Sequence, residues 1–329
     1  MSPTASLSVS PALTRHRLEA LPVAIFLVFA ALPFVAPFAG GGHLLSLAGR
    51  MMIFAIAAVA LDLLVGYGGL ISFGHAAFVG LGAYAVGILA AHGIGDALVS
   101  LPAALAVSAL YAFLTGVVCL RTKGVYFIMI TLAFGQMAFF TASSLAPYGG
   151  DDGLTIAARN TLAGPPLLKD ERASYYVVLV CLIFTYLFCR ALIASRFGRV
   201  LRGAKENPVR MAAIGFDVYR FQLAVYVIAG ALGGLSGFLL ANATEFVSPA
   251  YMSWQRSGEL IVMVLLGGLG TLEGAIVGTV AYLLLEEWLS GFTENWKVIF
   301  GPLLVLVVLF ARGGLLGLAT TLARRLGRD

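Results

Sequence analysis

Long, continuous apolar runs constrain the fold of this chain more than any other feature of its sequence. A membrane-spanning helix needs about 20 successive apolar residues, and most of the runs reach that length. Strands of a membrane barrel would instead alternate apolar and polar residues. The sequence therefore predicts an all-α polytopic membrane protein. The runs lie at 20–39, 44–65, 70–91, 98–120, 124–146, 174–194, 221–241, 258–289 and 297–311.

The composition excludes the fold that length alone suggests. A chain of 329 residues would ordinarily form a soluble protein of two domains. Hydrophobic residues make up 60% of it and charged residues only 11%, whereas soluble proteins carry about 25% charged residues. Intrinsic disorder is excluded too, because it requires few apolar residues and a high net charge.

Basic residues indicate the orientation in the membrane, because lysine and arginine collect in cytoplasmic loops. Arg121 and Lys123 share one short loop, six basic residues lie in 195–220, and a third group begins at Arg312. All three groups reach the cytoplasm only if the run 258–289 crosses twice. The charges therefore predict about ten membrane elements and two cytoplasmic termini.

The orientation predicted from the basic residues divides the chain into two tails and a membrane domain. We expect a cytoplasmic N-terminal tail at 1–19, a transmembrane domain at 20–311 and a cytoplasmic C-terminal tail at 312–329. The loop 147–173, in which acids balance bases, is predicted to be external. The loop 195–220 is predicted to be cytoplasmic.

Glycines are placed for close helix packing and for breaks. Gly233 and Gly237 share one face of a predicted helix, as do Gly274 and Gly278, and small residues at this spacing let helix backbones approach in lipid. Gly268 marks the expected break in 258–289. The stretch 66–74 contains enough glycine to permit unwound backbone at the start of a span.

Known catalytic and nucleotide-binding motifs are missing from the sequence. The stretch from Gly198 to Lys205 comes nearest to a phosphate-binding loop, but Ala204 separates the last glycine from the lysine. The three cysteines lie in or beside apolar runs without metal-ligand spacing. We therefore expect no nucleotide site, metal or cofactor in this chain, and no nucleic-acid partner.

Six polar side chains interrupt the apolar runs. Such residues are rare at membrane depth and often functional, although those near helix ends can reach the interface. Structural and functional roles stay equally open for each. His75, flanked by small residues, either makes a close helix contact or lines a path. The six residues are Arg50, Asp62, His75, Gln136, Glu259 and Glu273.

The external segment 148–154 reads YGGDDGL and has the composition of a turn. Its adjacent acids, Asp151 and Asp152, follow Gly150. They would cap a helix, bind a cation or meet a partner. Helix capping is the interpretation that the pattern favours.

The loop 195–220 is the most informative segment. Val200, Leu201 and Ala204 recur at helical spacing, and Pro208 and Gly215 would end short helices. Six basic residues face two acids, a net excess of four. The pattern predicts amphipathic helices that lie along the membrane and face a cytoplasmic partner.

Five segments, taken in order, carry a family resemblance. GYGGLISFGHAAFVGLGAY begins at Gly66, RTKGVYFIMITLAFGQM at Arg121, YGGDDGL at Tyr148, LLGGLGTLEGAIVGT at Leu265 and LFARGGLLGL at Leu309. Together with the loop 195–220, they resemble the permease subunits of branched-chain amino acid ABC importers. The second and third segments are similar to those of the longer of the two permease types.

The resemblance implies a fold and a set of partners. The fold would be the ten-helix, vitamin-B12-importer-like (type II) ABC permease fold. The partners would be a sister permease in a heterodimer, two cytoplasmic ATPase subunits and a periplasmic substrate-binding protein, all at the bacterial inner membrane. Related permeases also carry urea, amides or aromatic acids, so the substrate stays open.

Two sets of site residues follow from the resemblance and the polar pattern. ATP-driven alternating access would move substrate inward along a path on the second, third and fifth spans. The residues expected to couple to the ATPase are Ser195, Gly198, Arg199, Lys205, Glu206, Asn207 and Gly215. The candidates for the path are Ser72, Gly74, His75, Thr131 and Gln136.

Two other functions stay open. In an ion-coupled secondary transporter, Asp62, His75 or Glu273 would carry protons. In an intramembrane enzyme, His75 or Asp62 would act on the substrate. The loop 195–220 and the missing nucleotide site favour the importer.

Overall fold

Helices account for most of the residues that this computed structural model describes. The described residues are 11–35, 42–157, 159–161, 170–291, 298–302 and 313–317. The first helices are α1 (Pro11–Val35), α2 (Gly42–Asp62), α3 (His75–Ala91), α4 (Ala97–Cys119), α5 (Val125–Ser143) and α6 (Glu171–Ala194). The others are α7 (Arg196–Glu206), α8 (Pro208–Ala213), α9 (Val218–Thr244), α10 (Trp254–Gly267) and α11 (Leu272–Ser290).

Five helices are long and apolar enough to cross a membrane: α2 with the π turn Leu63–Tyr67 that extends it, α4, α5, α6 and α9. Two shorter apolar helices are α3 and the Pro22–Val35 part of α1. The chain is therefore a polytopic helical membrane protein. The predicted run 297–311 and the tail 312–329 lie largely outside the described residues.

The long run 258–289 is broken where the sequence predicted. α10 ends at Gly267, α11 begins at Leu272, and the two helices are bent by 115°. Gly268 has a φ of 121°, in a region that favours glycine. The charge pattern, which required this run to turn back, therefore located a real break.

Loops collect at two opposite ends of the bundle. At one end the Lys205 ammonium of α7 donates to the Gly66 carbonyl, 2.5 Å away, and the Tyr219 hydroxyl donates to the Val117 carbonyl at 3.0 Å. At the other end, Asp96 pairs with Thr161. The loops that charge assigned to the cytoplasm thus meet at the first end.

The core lies where α9 packs between α3 and α4. Gly237 sits directly on the Val79 carbonyl of α3. On the other side, a Cβ at Gly234 would lie 2.6 Å from the Ser108 hydroxyl of α4. The predicted close packing of this glycine face is confirmed, because backbones approach most closely where no side chain intervenes.

Three local features differ from the sequence prediction. The apolar run that begins at residue 70 predicted a helix from there, but residues 70–74 are unwound, as the glycines of 66–74 permit, and Gly69 has a φ of 68°. α1 begins at Pro11, within the predicted tail. Two short strands, β1 (Leu154–Thr155) and β2 (Phe246–Val247), pair antiparallel and are an exception to the all-α class.

Candidate functional site

The α7–α8 segment, residues 195–215, is amphipathic as predicted. Val200, Leu201 and Ala204 of α7 are buried against the bundle, whereas Arg196 and Arg199 are exposed. Gly198 is also buried, on the backbone of Ile193 at the end of α6. Any larger residue there would push α7 away from α6.

Local capping fixes the bends of this segment. The Ser195 hydroxyl accepts from the Phe197 amide at 3.2 Å and begins α7. The Asn207 side chain accepts from the Arg210 amide at 2.9 Å and begins α8. Gly215, with a φ of 92°, follows the end of α8. These are the residues that favour helix starts and stops.

α8 presents an apolar surface that nothing covers among the described residues. Val209 is 76% exposed and Ile214 is 62% exposed. Arg199 and Glu206, both exposed, lie on the preceding helix. Apolar side chains surrounded by charges are typical of a surface that binds another protein.

The Lys205 side chain points toward the helix bundle, unlike the other charged side chains among the predicted coupling residues, Arg199 and Glu206. Its ammonium reaches back to the Gly66 carbonyl, and a Cβ at Gly69 would lie 3.0 Å from its Cγ. Lys205 therefore connects α7 to the end of α2.

Three of the predicted path residues lie together. The Thr131 hydroxyl of α5 accepts from the Phe73 amide at 3.2 Å, and the Gly74 amide donates to the Ser72 hydroxyl at 3.3 Å. A Cβ at Gly74 would lie 2.5 Å from the Thr131 carbonyl. The unwound stretch before α3 thus rests directly on α5.

Gln136 and His75 occupy different surroundings. Gln136 is half-buried and follows Gly135, which packs on Gly74. His75 is fully buried, with its ring edge-on to Phe78 at 5.5 Å. Neither ring nitrogen has a hydrogen-bond partner within the described part of the chain, and the backbone of Ala57 is a polar group near the ring.

The turn that contains Gly150, Asp151 and Asp152 corrects one prediction. Gly150 has a φ of 51°, and Asp151 and Asp152 are exposed in a turn that leads into β1. No helix follows them directly, so capping by these acids was wrong. The acids that cap neighbouring helices are Asp96 for α4 and Asp170 for α6.

The sequence pattern did not predict some of the polar contacts that the structure shows. The Ser257 hydroxyl of α10 accepts from the Ala76 amide at 3.1 Å, joining the start of α3 to α10. Arg256 pairs with Glu259 at 2.6 Å, and both Arg256 and Arg50 lie over the Phe54 ring. Only helical spacing signalled the ion pair, and nothing in the sequence signalled the other contacts. No cluster of three metal-ligating side chains occurs in the part of the chain that the structure describes.

These features define a class of protein: a multi-pass helical membrane protein with an exposed, basic, amphipathic helix pair at one end. The family model described as "Branched-chain amino acid transport system / permease component" matches residues 43–309. The chain belongs to this family.

Individual relatives agree with the family match. The chain is 27% identical to the high-affinity branched-chain amino acid transport system permease protein LivM of Salmonella typhimurium, over 85% of this chain and 71% of that protein. It is 24% identical to the probable LivM of Methanocaldococcus jannaschii, over 80% and 90% of the two chains. A probable LivH of the same archaeon is 31% identical but covers only 46% of this chain. The chain is therefore LivM-like, and no solved structure matches it.

The path prediction is tested by Gln136→Ala. We expect uptake of substrate to fall about tenfold, the usual result of losing one hydrogen bond to a charged ligand. Gln136 makes no hydrogen bond within the described residues, so assembly of the complex should not change. Gln222→Ala, which truncates another half-buried glutamine, on α9, is the matched control. Unchanged uptake by Gln136→Ala would remove Gln136 from the path.

Proposed function

We propose that this chain is the transmembrane permease subunit of an ABC importer for branched-chain or related amino acids. The observation that supports this function is the α7–α8 segment. It combines a buried face that fixes it to the bundle with exposed Val209, Ile214 and Arg199. A permease that has no nucleotide-binding motif needs such a surface, so that a separate ATPase can bind it and drive its conformational change.

The proposed fold is the ten-helix type II permease fold with both termini in the cytoplasm. The five long helices, the two shorter apolar ones and the bent pair would make ten membrane elements together with the run 297–311. The basic end of the bundle would face the cytoplasm of a bacterial cell, since positive residues stay inside. Residues 147–157 would then face outward.

The proposed partners are a sister permease, two ATPase subunits and a periplasmic binding protein. The ATPases would close on ATP and move the α7–α8 segment. The helices would then open the path inward, past Ser72, Gly74 and Thr131. The binding protein would meet the opposite end, where Asp151 and Asp152 are exposed.

The test is uptake into proteoliposomes that contain the complete complex. We expect accumulation of radiolabelled leucine to require ATP and binding protein, and to be competed by isoleucine and valine more strongly than by urea or phenylalanine. A proton uncoupler should not change uptake while ATP is held constant. Uptake that the uncoupler abolishes and ATP does not drive would favour the secondary transporter. Stronger competition by urea or phenylalanine would change the substrate class.

A further inference from the structure

Asp62 is a carboxylate buried inside the membrane domain. It is the last residue of α2, it is 0% exposed, and one carboxylate oxygen has no hydrogen-bond partner in the described part of the chain. Burying an ionisable group is unfavourable unless other groups compensate for its lost hydration. The groups that surround Asp62 therefore indicate what its carboxylate does in the structure.

The first neighbour of Asp62 is the start of α11. Its other carboxylate oxygen accepts from the Gly270 amide at 2.8 Å, across 208 positions of sequence. The N-cap residue of α11, Thr271, makes no side-chain capping bond, and its hydroxyl donates to the Gly268 carbonyl. Asp62 thus supplies an acceptor at a helix start that lacks its own, where negative charge is favourable.

The second neighbour is the α7–α8 segment. Lys205 of α7 reaches the backbone at Gly66, which lies directly against the Asp62 carboxylate. Its ammonium donates to the Gly66 carbonyl, which lies in the π turn that follows Asp62. Carbonyls at a helix end lack intrahelical partners, so they are available to such a donor.

Close backbone packing keeps these groups together. Gly66 lies against both the Asp62 carboxylate and Gly270, so that a Cβ at Gly66 would overlap Asp62 and lie 2.5 Å from the Gly270 amide. Glu273, in the first turn of α11, accepts from the Tyr186 hydroxyl of α6 at 2.6 Å. These contacts link α2, α6, α7 and α11 through one group of neighbouring residues.

We infer that Asp62, Gly66, Lys205 and Gly270 form a joint that transmits movement of α7 to the break between α10 and α11. Asp62 and Lys205 are its positioning residues. Lys205 holds α7 to the end of α2, and Asp62 holds the end of α2 to the start of α11. Rigid polar contacts between packed elements are a physical route by which a displacement at one site reaches another. The inference rests on the proposed function, because it assumes that an ATPase moves α7.

The test measures leucine uptake and ATP hydrolysis on the same proteoliposomes. Asp62→Asn keeps the shape of the side chain but offers the Gly270 amide a neutral and therefore weaker acceptor than a carboxylate. Lys205→Met keeps the stem and removes the donor. We expect each variant to assemble and to keep at least half of the ATP hydrolysis, about a 0.4 kcal/mol effect at most on the hydrolysis rate. Leucine taken up per ATP should fall tenfold or more.

Three further variants sharpen the result. Lys205→Arg, which still offers a cationic donor, should recover part of the uptake per ATP. The double variant should lose no more than the worse single variant, because the two contacts act in series in one network, and the effects of residues in one network are not additive. Lys123→Met, which removes an exposed lysine in the turn after α4, should leave both activities unchanged.

The outcomes distinguish a failure of the proposed joint from a failure of the proposed transport function. Parallel loss of assembly and hydrolysis, with unchanged uptake per ATP in the assembled fraction, would show a merely structural role and overturn the joint. A normal ratio of leucine uptake to ATP hydrolysis in Lys205→Met would also overturn the joint. The Lys205 side chain is exposed enough to be replaced without unfolding the chain. If the wild-type complex itself takes up nothing with ATP, the proposed function fails and the joint fails with it.

Discussion

Glu206→Lys is expected to abolish uptake while the permease still inserts and assembles with its sister subunit. Glu206 is the last residue of α7, exposed at the junction with α8. It is one of two acids in the loop 195–220, which also contains six basic residues. Glu206 therefore marks the position where a basic residue of the proposed ATPase would fit. Losing one partner of a close interfacial charge pair costs about 2–5 kcal/mol, which is about thirtyfold or more in affinity.

Helix stability would not explain such a loss. A lysine at the end of a helix is favoured over a glutamate by about 0.3–1 kcal/mol, because the helix dipole is negative there. α7 should therefore fold at least as well in the variant. The measurements are uptake and stimulation of ATP hydrolysis by the loaded binding protein.

The matched control for this prediction is Glu171→Lys. It reverses the charge of another exposed glutamate, in the first turn of α6 at the opposite end of the bundle. We expect that variant to transport normally. Wild-type uptake by Glu206→Lys, with normal stimulation of ATP hydrolysis, would show that Glu206 does not contact the ATPase.

The sequence predicted those parts of the fold that depend on local pattern. Lipid forces the backbone to satisfy its own hydrogen bonds, so each long apolar run becomes a helix. Charge parity then located the break near Gly268, and helical periodicity found α7. At residues 70–74 the two local patterns disagreed, because the apolar run predicts a span and the glycines of 66–74 permit unwound backbone. The structure has them unwound, with a positive φ at Gly69 and Gly74 packed on Thr131.

The candidate site was less predictable because its contacts are long-range. The sequence marks Asp62 as a polar group at membrane depth, but it does not indicate that the Gly270 amide meets Asp62 or that Lys205 contacts Gly66 beside it. Periodicity shows which residues share a helix face and is silent on which faces meet. Ser257, whose hydroxyl meets the start of α3, was missed for the same reason.

The small-residue face of α9 was predicted from spacing, and the structure makes it a strong test of the fold. Gly237→Val should prevent accumulation of folded protein in the membrane. A Cβ at Gly237 would overlap the Val79 carbonyl and lie 2.8 Å from the Ala83 amide. Both are backbone atoms of α3, which cannot rotate away as a side chain would. Overpacking of a rigid core costs about 3 kcal/mol at the upper end of its usual range.

Gly49→Val is the matched control, because Gly49 also lies within a helix but has open space around its Cα. Both variants place the same β-branched residue in a helix, so both carry the same intrinsic propensity term. A difference in detergent-extracted, monodisperse protein therefore measures the contact between α3 and α9 alone. We expect Gly49→Val to match the wild type and Gly237→Val to fall at least tenfold below it. Equal yields would mean that α3 and α9 do not touch at Gly237, and the packing of the core around α9 would then be wrong.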